Sequence, residues 1–349
     1  MMDQTVFPGM PEPTEPAAAP PTRPSEARLV QPVRNQIEWA PRALDALFTT
    51  ILAAMMDQGL VTLDRVAQDG MKVRAGAGAA SFHGAARLDQ CLTAAQEQVA
   101  RLKDQREHPE PGVSAREQAA RERAARERQA RVERAIAELP AAKAAKERQE
   151  RTLAKPKRTK VSEPRVSTTD PDARVMHMPD GGFRPALNAE FATDVEGQVI
   201  VGVGVSNRGS DQGEALPMET QVQERTARHP GAYLIDGGFV KRDDITALEQ
   251  RQVTVYAPLR PPRTTTSGRT ATDPRPDDSP EVIAWRERTG TNAAKEIYKQ
   301  RAATAECVNA LARLRGLQQF RVRGLDKALC VLLLMAITHN VLRWIALSA

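Results

Sequence analysis

Three acidic residues have the setting that phosphodiester chemistry requires, and the plainest is Asp236. It lies in the run PGAYLIDGGFVKRDD, where the apolar residues Tyr233, Leu234 and Ile235 read as a buried strand that delivers one carboxylate onto a Gly-Gly turn. An Asp before Gly is also ordinary turn chemistry, so this string admits both a ligand and a turn former. The second acid is Asp69, at the midpoint of RVAQDGMKVRA, which alternates well enough to be a strand. The third is Glu306, in YKQRAATAECVNA within a helical stretch. Two divalent ions that clamp the attacking and leaving oxygens of a phosphodiester need such an oxygen cluster. Three bare carboxylates brought together would raise one another's pKa, so their convergence would itself argue for metal.

On a regular helix, offsets of eight and seven residues put Tyr298, Glu306 and Arg313 on one face. An acid flanked by an aromatic and a cation could hold a metal while gripping phosphate. An amphipathic helix with its polar side in solvent has the same pattern. Arg301 precedes Glu306 with four residues between them, a spacing that rotates its side chain off that face.

Elements must carry these residues. The strand at Tyr233, the helix DDITALEQ and a strand at Val253 to Tyr256 make a β-turn-α-β unit with a parallel pair. Residues 184–194 and 198–205 are β-rich runs joined by Val195, Glu196 and Gly197, a hairpin pattern. Residues 210–226 read as a helix, and from Glu281 the chain reads as helical almost to its end. Ala43 to Leu60 has helical apolar spacing closed by Gly59. The result is a mixed α/β sheet with helices on its faces.

Composition limits the rest. Aromatics make up 4% of 349 residues and Pro numbers 25, so part of the length cannot bury much core. Residues 1–40 are expected to be a disordered leader, 41–78 a helix plus the first strand, 79–165 a charged helical insertion, and 166–349 the rest of the sheet domain. Within the insertion, Ser114 and Glu117 form a capping box opening a nearly polar helix. That helix is expected to be solvated and salt-bridged, to face nucleic acid, or to form a weak coiled-coil seam. The net charge of +6 points to a polyanion, and Lys155, Lys157, Arg158 and Lys160 are the clustered phosphate-contact candidates.

Cys91, Cys307 and Cys330 fall in no metal or disulfide spacing, which fits a reducing cytoplasm. The longest apolar run, 328–337, is short for a membrane span. His177 and His339 are not needed as bases, because metal-assisted phosphoryl transfer activates its nucleophile through the ion.

The blocks AQDGMKVRAGAG, STTDPDARVMHMPDGGFRPALN with EFATDVEGQVIVGVGVSN, DGGFVKRDDITALE, and WRERTGTNAAKEIYKQRAATAECVNA with RGLQQFRVRG together resemble the DDE transposases of bacterial insertion sequences. The resemblance covers roughly residues 60–105 and 165–345. It implies an RNase H-like fold, with the basic helical segment as an insertion, and metal-dependent DNA cleavage and strand transfer. By it Asp69, Asp236 and Glu306 are the catalytic and metal-binding acids, for two Mg²⁺ ions with Mn²⁺ able to substitute. Tyr298, Arg301 and Arg313 fall near the tyrosine, arginine and basic position of the family's YREK pattern and would contact DNA. The implied partners are terminal inverted repeats and target DNA, with no membrane and with a homodimer admitted.

Two departures qualify the resemblance. The Arg301 spacing is one residue too long. Relatives also carry a helical DNA-binding region between a leader like LVQPVRNQIEW and the first catalytic strand, whereas Pro41 to Leu60 bridges that gap here. An internally shortened copy with impaired end recognition is therefore expected. The alternatives are a catalytically inactive DNA-binding remnant and a general RNase H-like nuclease. Asp194 and Asp180, each near a turn, rival Asp69 as the first acid; Asp69 is preferred because the sheet needs a first strand before the hairpin.

Overall fold

A computed structural model describes residues 26–108, 112–152, 163–259 and 270–349. The basic cluster Lys155, Lys157, Arg158 and Lys160 lies outside the described residues. The chain divides into a unit of residues 1–40 and a second of 41–349, and all that follows concerns the second unless stated.

Helix α1 (Glu26–Asp57) starts within the segment expected to be a disordered leader, so helix reaches further toward the N-terminus than composition suggested. Gly59 ends it with φ +70°, and Leu60 N–H returns to Met55 O at 3.0 Å, the left-handed cap that Gly adopts without Cβ strain. Strand β1 (Arg65–Arg74) follows, buried from Val66 to Gln68. A short β2 (Phe82–His83) and helix α2 (Ala85–Glu107) lead into α3 (Ala115–Thr152).

Next come β3 (Val166–Ser167), paired with β2, then β4 (Arg174–His177), β5 (Phe183–Asp194) and β6 (Ile200–Ser206). Helix α4 (Ala215–Thr226), β7 (Ala232–Leu234), α5 (Arg242–Gln250) and β8 (Thr254–Tyr256) complete the sheet region. The C-terminal part is α6 (Pro280–Gly290), α7 (Asn292–Arg301), one π-helical turn (Ala302–Glu306), α8 (Cys307–Leu314) and α9 (Leu325–Leu347). Sequence periodicity suggested one long helix here. The structure breaks it at Thr291, whose side chain caps α7 through Ala294 N–H, and again around Gly316, with φ +98°.

The sheet runs β6, β5, β1, β7, β8, with β4 extending the β6 edge of β5. The β1/β5 and β5/β6 pairs are antiparallel, and β1/β7 and β7/β8 are parallel. The hairpin and the parallel pair thus form where alternation and turn residues placed them. Both faces are covered. On one, Val66, Tyr233 and Val255 pack with Met218, Ile245, Leu248 and Trp285. On the other, Met71, Val73, Phe191 and Val203 pack with Val308, Leu332 and Leu333. This order and helical coverage are compatible with an RNase H-like fold.

Helix α3 is less evenly solvated than its composition suggests. Ala125, Val132, Ala135 and Ala142 are buried, and Leu88 of α2 packs with Ala135 and Ala142. Arg134 grips Asp172 with Nη2 at 2.8 Å from both oxygens, and Arg174 meets Glu138 at 2.6 Å, so the helical hairpin is tied to the approach to β4. Small Ala side chains permit close packing that a hydropathy count undervalues.

Among the described residues, α9 alone is long and apolar enough to cross a membrane by length and composition. It serves as a fold helix: Asn340 accepts from Ile200 N–H and donates to Ile200 O, both at 2.8 Å, and Arg343 donates to Gly197 O at 2.9 Å.

Candidate active site

β1 places Asp69 opposite Phe191, at the middle of the sheet. β7 ends at Leu234, and Asp236 follows two residues on, where the chain leaves the sheet. Phe239 N–H bonds to Asp236 O at 3.2 Å, and Gly238 N–H donates to Asp236 Oδ1 at 2.6 Å. A Cβ on Gly238 would stand 2.8 Å from that same oxygen, so a larger residue here would push the Asp236 carboxylate aside. Oδ1 thus organises the bend that sequence suggested, and Oδ2 is left facing Arg301 at 3.9 Å.

The three acids meet around one guanidinium. Arg301 Nη2 donates to Asp69 Oδ1 at 2.8 Å and lies 3.9 Å from Asp236 Oδ2, while Nη1 donates to Glu306 Oε1 at 3.4 Å. The expectation that spacing rotates Arg301 off the face is corrected here. Ala302–Glu306 forms a π turn, which absorbs the extra residue as a local bulge and leaves α7 and α8 in helical continuity. Spacing counted at 3.6 residues per turn fails wherever the turn itself widens.

Burial grades across the site. The side chains of Asp69, Asp236 and Glu306 are 17, 40 and 61% exposed. Burial pushes the Asp69 carboxyl above its ordinary value; Arg301 opposes this, the charge of Asp236 adds to it, and a hydrogen bond from Asn309 opposes it again. Asn309 Nδ2 donates to Asp69 Oδ2 at 2.9 Å, and its buried Oδ1 has no partner. Sequence reasoning missed this residue, although it lies three positions after Glu306 and so on the same helical face.

Tyr298 is half-buried beside the acids. Burial raises its phenol pKa, Arg301 works against that, and the charges of Asp236, Asp69 and Glu306 reinforce it. Arg313 is exposed, and no described contact joins it to the three acids.

The rivals stand elsewhere. Asp194 accepts from Leu63 N–H at 3.0 Å and from Gly197 N–H at 2.8 Å, so both oxygens serve the turn. Asp180 pairs with Arg184 on the surface. His339 Nε2 contacts Gln198 O at 2.8 Å, and burial lowers its pKa, a structural role on α9. His177 packs edge-on against Phe183.

Among the described residues no three His, Cys, Asp or Glu side chains form a ready ion cage, since the point between the acids is taken by Arg301. The donor chemistry nevertheless fits a hard divalent ion: three carboxylates and an orphaned amide oxygen, with no sulfur or imidazole among them.

Fold and site together define a mixed α/β protein, compatible with an RNase H-like architecture, whose sheet presents two aspartates to a glutamate on a covering helix. Residues 262–345 match the family model of the transposase DDE domain, and this supports a DDE transposase. The match takes in Tyr298, Arg301, Glu306, Asn309 and Arg313; Asp69 and Asp236 lie before it. A transposase DDE domain implies use of a divalent metal and DNA as a partner. No curated protein and no solved structure matches the chain.

Proposed function

We propose that this chain is the transposase of a bacterial insertion sequence, cleaving DNA and transferring strands through Asp69, Asp236 and Glu306. The observation that carries the reading is the convergence of three carboxylates, from a strand, a strand end and a helix, on one cation. Unrelated surface acids would separate in water rather than gather.

In this reading Asp69, Asp236 and Glu306 hold two Mg²⁺ ions, or Mn²⁺ in their place, and such ions lower the pKa of water or a DNA 3′-hydroxyl and offset charge on the phosphodiester. Asn309 fixes the rotamer of Asp69 from behind. Gly238 N–H holds one oxygen of Asp236 so that the other points inward. Glu306, the most exposed of the three, is free to adjust to substrate. Arg301 neutralises the acids in the resting protein, and its fork suits a phosphate once it turns outward. The Tyr298 phenol, protonated at neutral pH, donates to a DNA oxygen. Arg313 and the cluster Lys155, Lys157, Arg158 and Lys160 supply sequence-independent phosphate contacts.

Supercoiled plasmid carrying the element's ends provides the test: Mg²⁺-dependent nicking at the ends that disappears in Glu306→Gln supports the reading. Nicking that persists in Glu306→Gln defeats it. Cleavage equally frequent on DNA without ends would make the chain a general nuclease.

A second reading, an inactive DNA-binding remnant, is favoured by the short stretch, Pro41 to Leu60, that stands between the leader-like LVQPVRNQIEW and β1. We take the chain to be an internally shortened copy lacking most of an N-terminal DNA-binding region, working in the cytoplasm, with a homodimer as the assembly that two element ends would require. Specific end recognition is then impaired. Gel-shift titration showing inverted-repeat DNA bound well above random duplex at the same salt would reject that part.

A further inference from the structure

The loop that begins at Asp236 runs through Val240 to Lys241, the residue before α5. Beside it lies a cavity of about 380 Å³ whose wall includes Lys241, Arg242, Arg275, Arg286 and Trp285. Its charge is under-compensated. Arg242 and Arg286 share the single fully buried carboxylate of Asp278, at 3.3 and 2.6 Å. Lys241 meets Asp244 at 2.9 Å, and Arg275 makes no ion pair among the described residues. Asp243 also stands in the wall, but its side chain is 86% exposed and reaches Lys241 only at 4.0 Å.

Two further features point to an acceptor from outside. Trp285 is 2% exposed, yet its indole N–H has no hydrogen-bond partner. A buried donor seldom stays unmet in a native fold, and an indole can only donate. The α5 N-terminus receives no side-chain cap from Lys241, while its first turn carries Asp243 and Asp244, the latter held by Lys241. First-turn amides and the helix dipole there favour an anion.

We propose that this cavity binds one backbone phosphate of DNA. The inference rests on the reading that the chain acts on DNA. Arg275 and Arg242 supply charge at the rim, and the α5 amides and the Trp285 indole supply neutral donors deeper in. Arg286, whose guanidinium lies 5.6 Å from the Trp285 ring centroid, is held by Asp278 and Ala271 O and lines the same wall. Lys241 lies five positions after Asp236, a reach of no more than about 17 Å. The phosphate held here therefore lies a few nucleotides from the bond at the three acids, where it would fix the register of the strand.

The test is fluorescence anisotropy with the full chain and a labelled random-sequence duplex in EDTA, titrated at several salt concentrations. Arg275→Gln is expected to weaken binding about 5-fold to 10-fold and to reduce the salt slope by about one counterion. Trp285→Phe is expected to weaken binding about threefold while leaving the slope unchanged, because a neutral donor releases no counterion. Should Trp285→Phe fail to fold, the exposed Arg275→Gln still decides. Unchanged affinity and slope in Arg275→Gln, with wild-type binding intact, would overturn this proposal and leave the transposase reading standing. Failure of the wild type to bind any duplex would remove both. Inorganic phosphate bound at micromolar concentration, and lost in Arg275→Gln, would show a site for the free ion and overturn the DNA assignment.

Discussion

Arg301 donates to Asp69 at 2.8 Å across 232 residues of sequence, so a helix and the central strand are joined at the point where the chemistry is expected. The pair is mostly buried, with side-chain exposures of 9 and 17%. Its energetics differ from those of a surface ion pair, because either partner left alone keeps a charge in poor solvent.

Removing that cation should destabilise the metal-free protein and favour metal. For Arg301→Ala we expect a loss of about 1–3 kcal/mol in EDTA. Mn²⁺ should then raise the melting temperature of the variant more than that of the wild type, which differential scanning fluorimetry measures. Equal shifts would mean that Arg301 and the ion do not compete.

The acids should differ from their neighbours in kind of effect. Asp69→Asn, Asp236→Asn and Glu306→Gln should each cut Mg²⁺-dependent nicking at least 100-fold, about 2.7 kcal/mol of barrier, with the fold retained. Circular dichroism alongside a plasmid assay separates the two effects.

Asp194→Ala should do the reverse. It strips acceptors from two buried amides, Leu63 and Gly197, and should cost about 2–4 kcal/mol of stability. Residual nicking per folded molecule should be unchanged, a ratio obtained by combining urea denaturation with activity.

Deleting Ala303 tests the π turn. Shortening Ala302–Glu306 by one residue should turn the bulge into ordinary α-helix, with Arg301 and Glu306 four apart and still on one face. Stability should stay within about 1 kcal/mol, and nicking should survive. Collapse of the fold would show that α7 and α8 are set by more than the bulge.

Glu190 should govern part of the pH dependence. Burial, joined by the charge of Glu214, pushes its carboxyl up to about 8 against hydrogen bonding from Gln68. A folded-state value above the unfolded one means that its contribution is full below pH about 4.5 and is lost as pH rises toward 8. The wild type should therefore lose stability across that window more steeply than Glu190→Gln, as melting temperatures at successive pH values would show.

Much of the frame was legible without coordinates. The alternation in residues 65–74, the hairpin 183–206 and the YLIDGG junction each bear a local signal, because side-chain period and turn residues are fixed by neighbours in the chain. The leader was less legible: proline and alanine counts concealed a helix that begins at Glu26. The packing of α3 was also hidden, since Ala stripes carry little hydropathy.

Sequence by itself therefore determined which carboxylates stand on a strand, past a strand end and on a helix, for those choices depend on residues a few positions away. Only the tertiary structure decided that Arg301 sits among them, that Asn309 backs Asp69 and that Asp194 belongs to its turn. Those facts depend on a widened helical turn and on contacts between residues more than a hundred positions apart, and such distances in sequence carry no periodic signal.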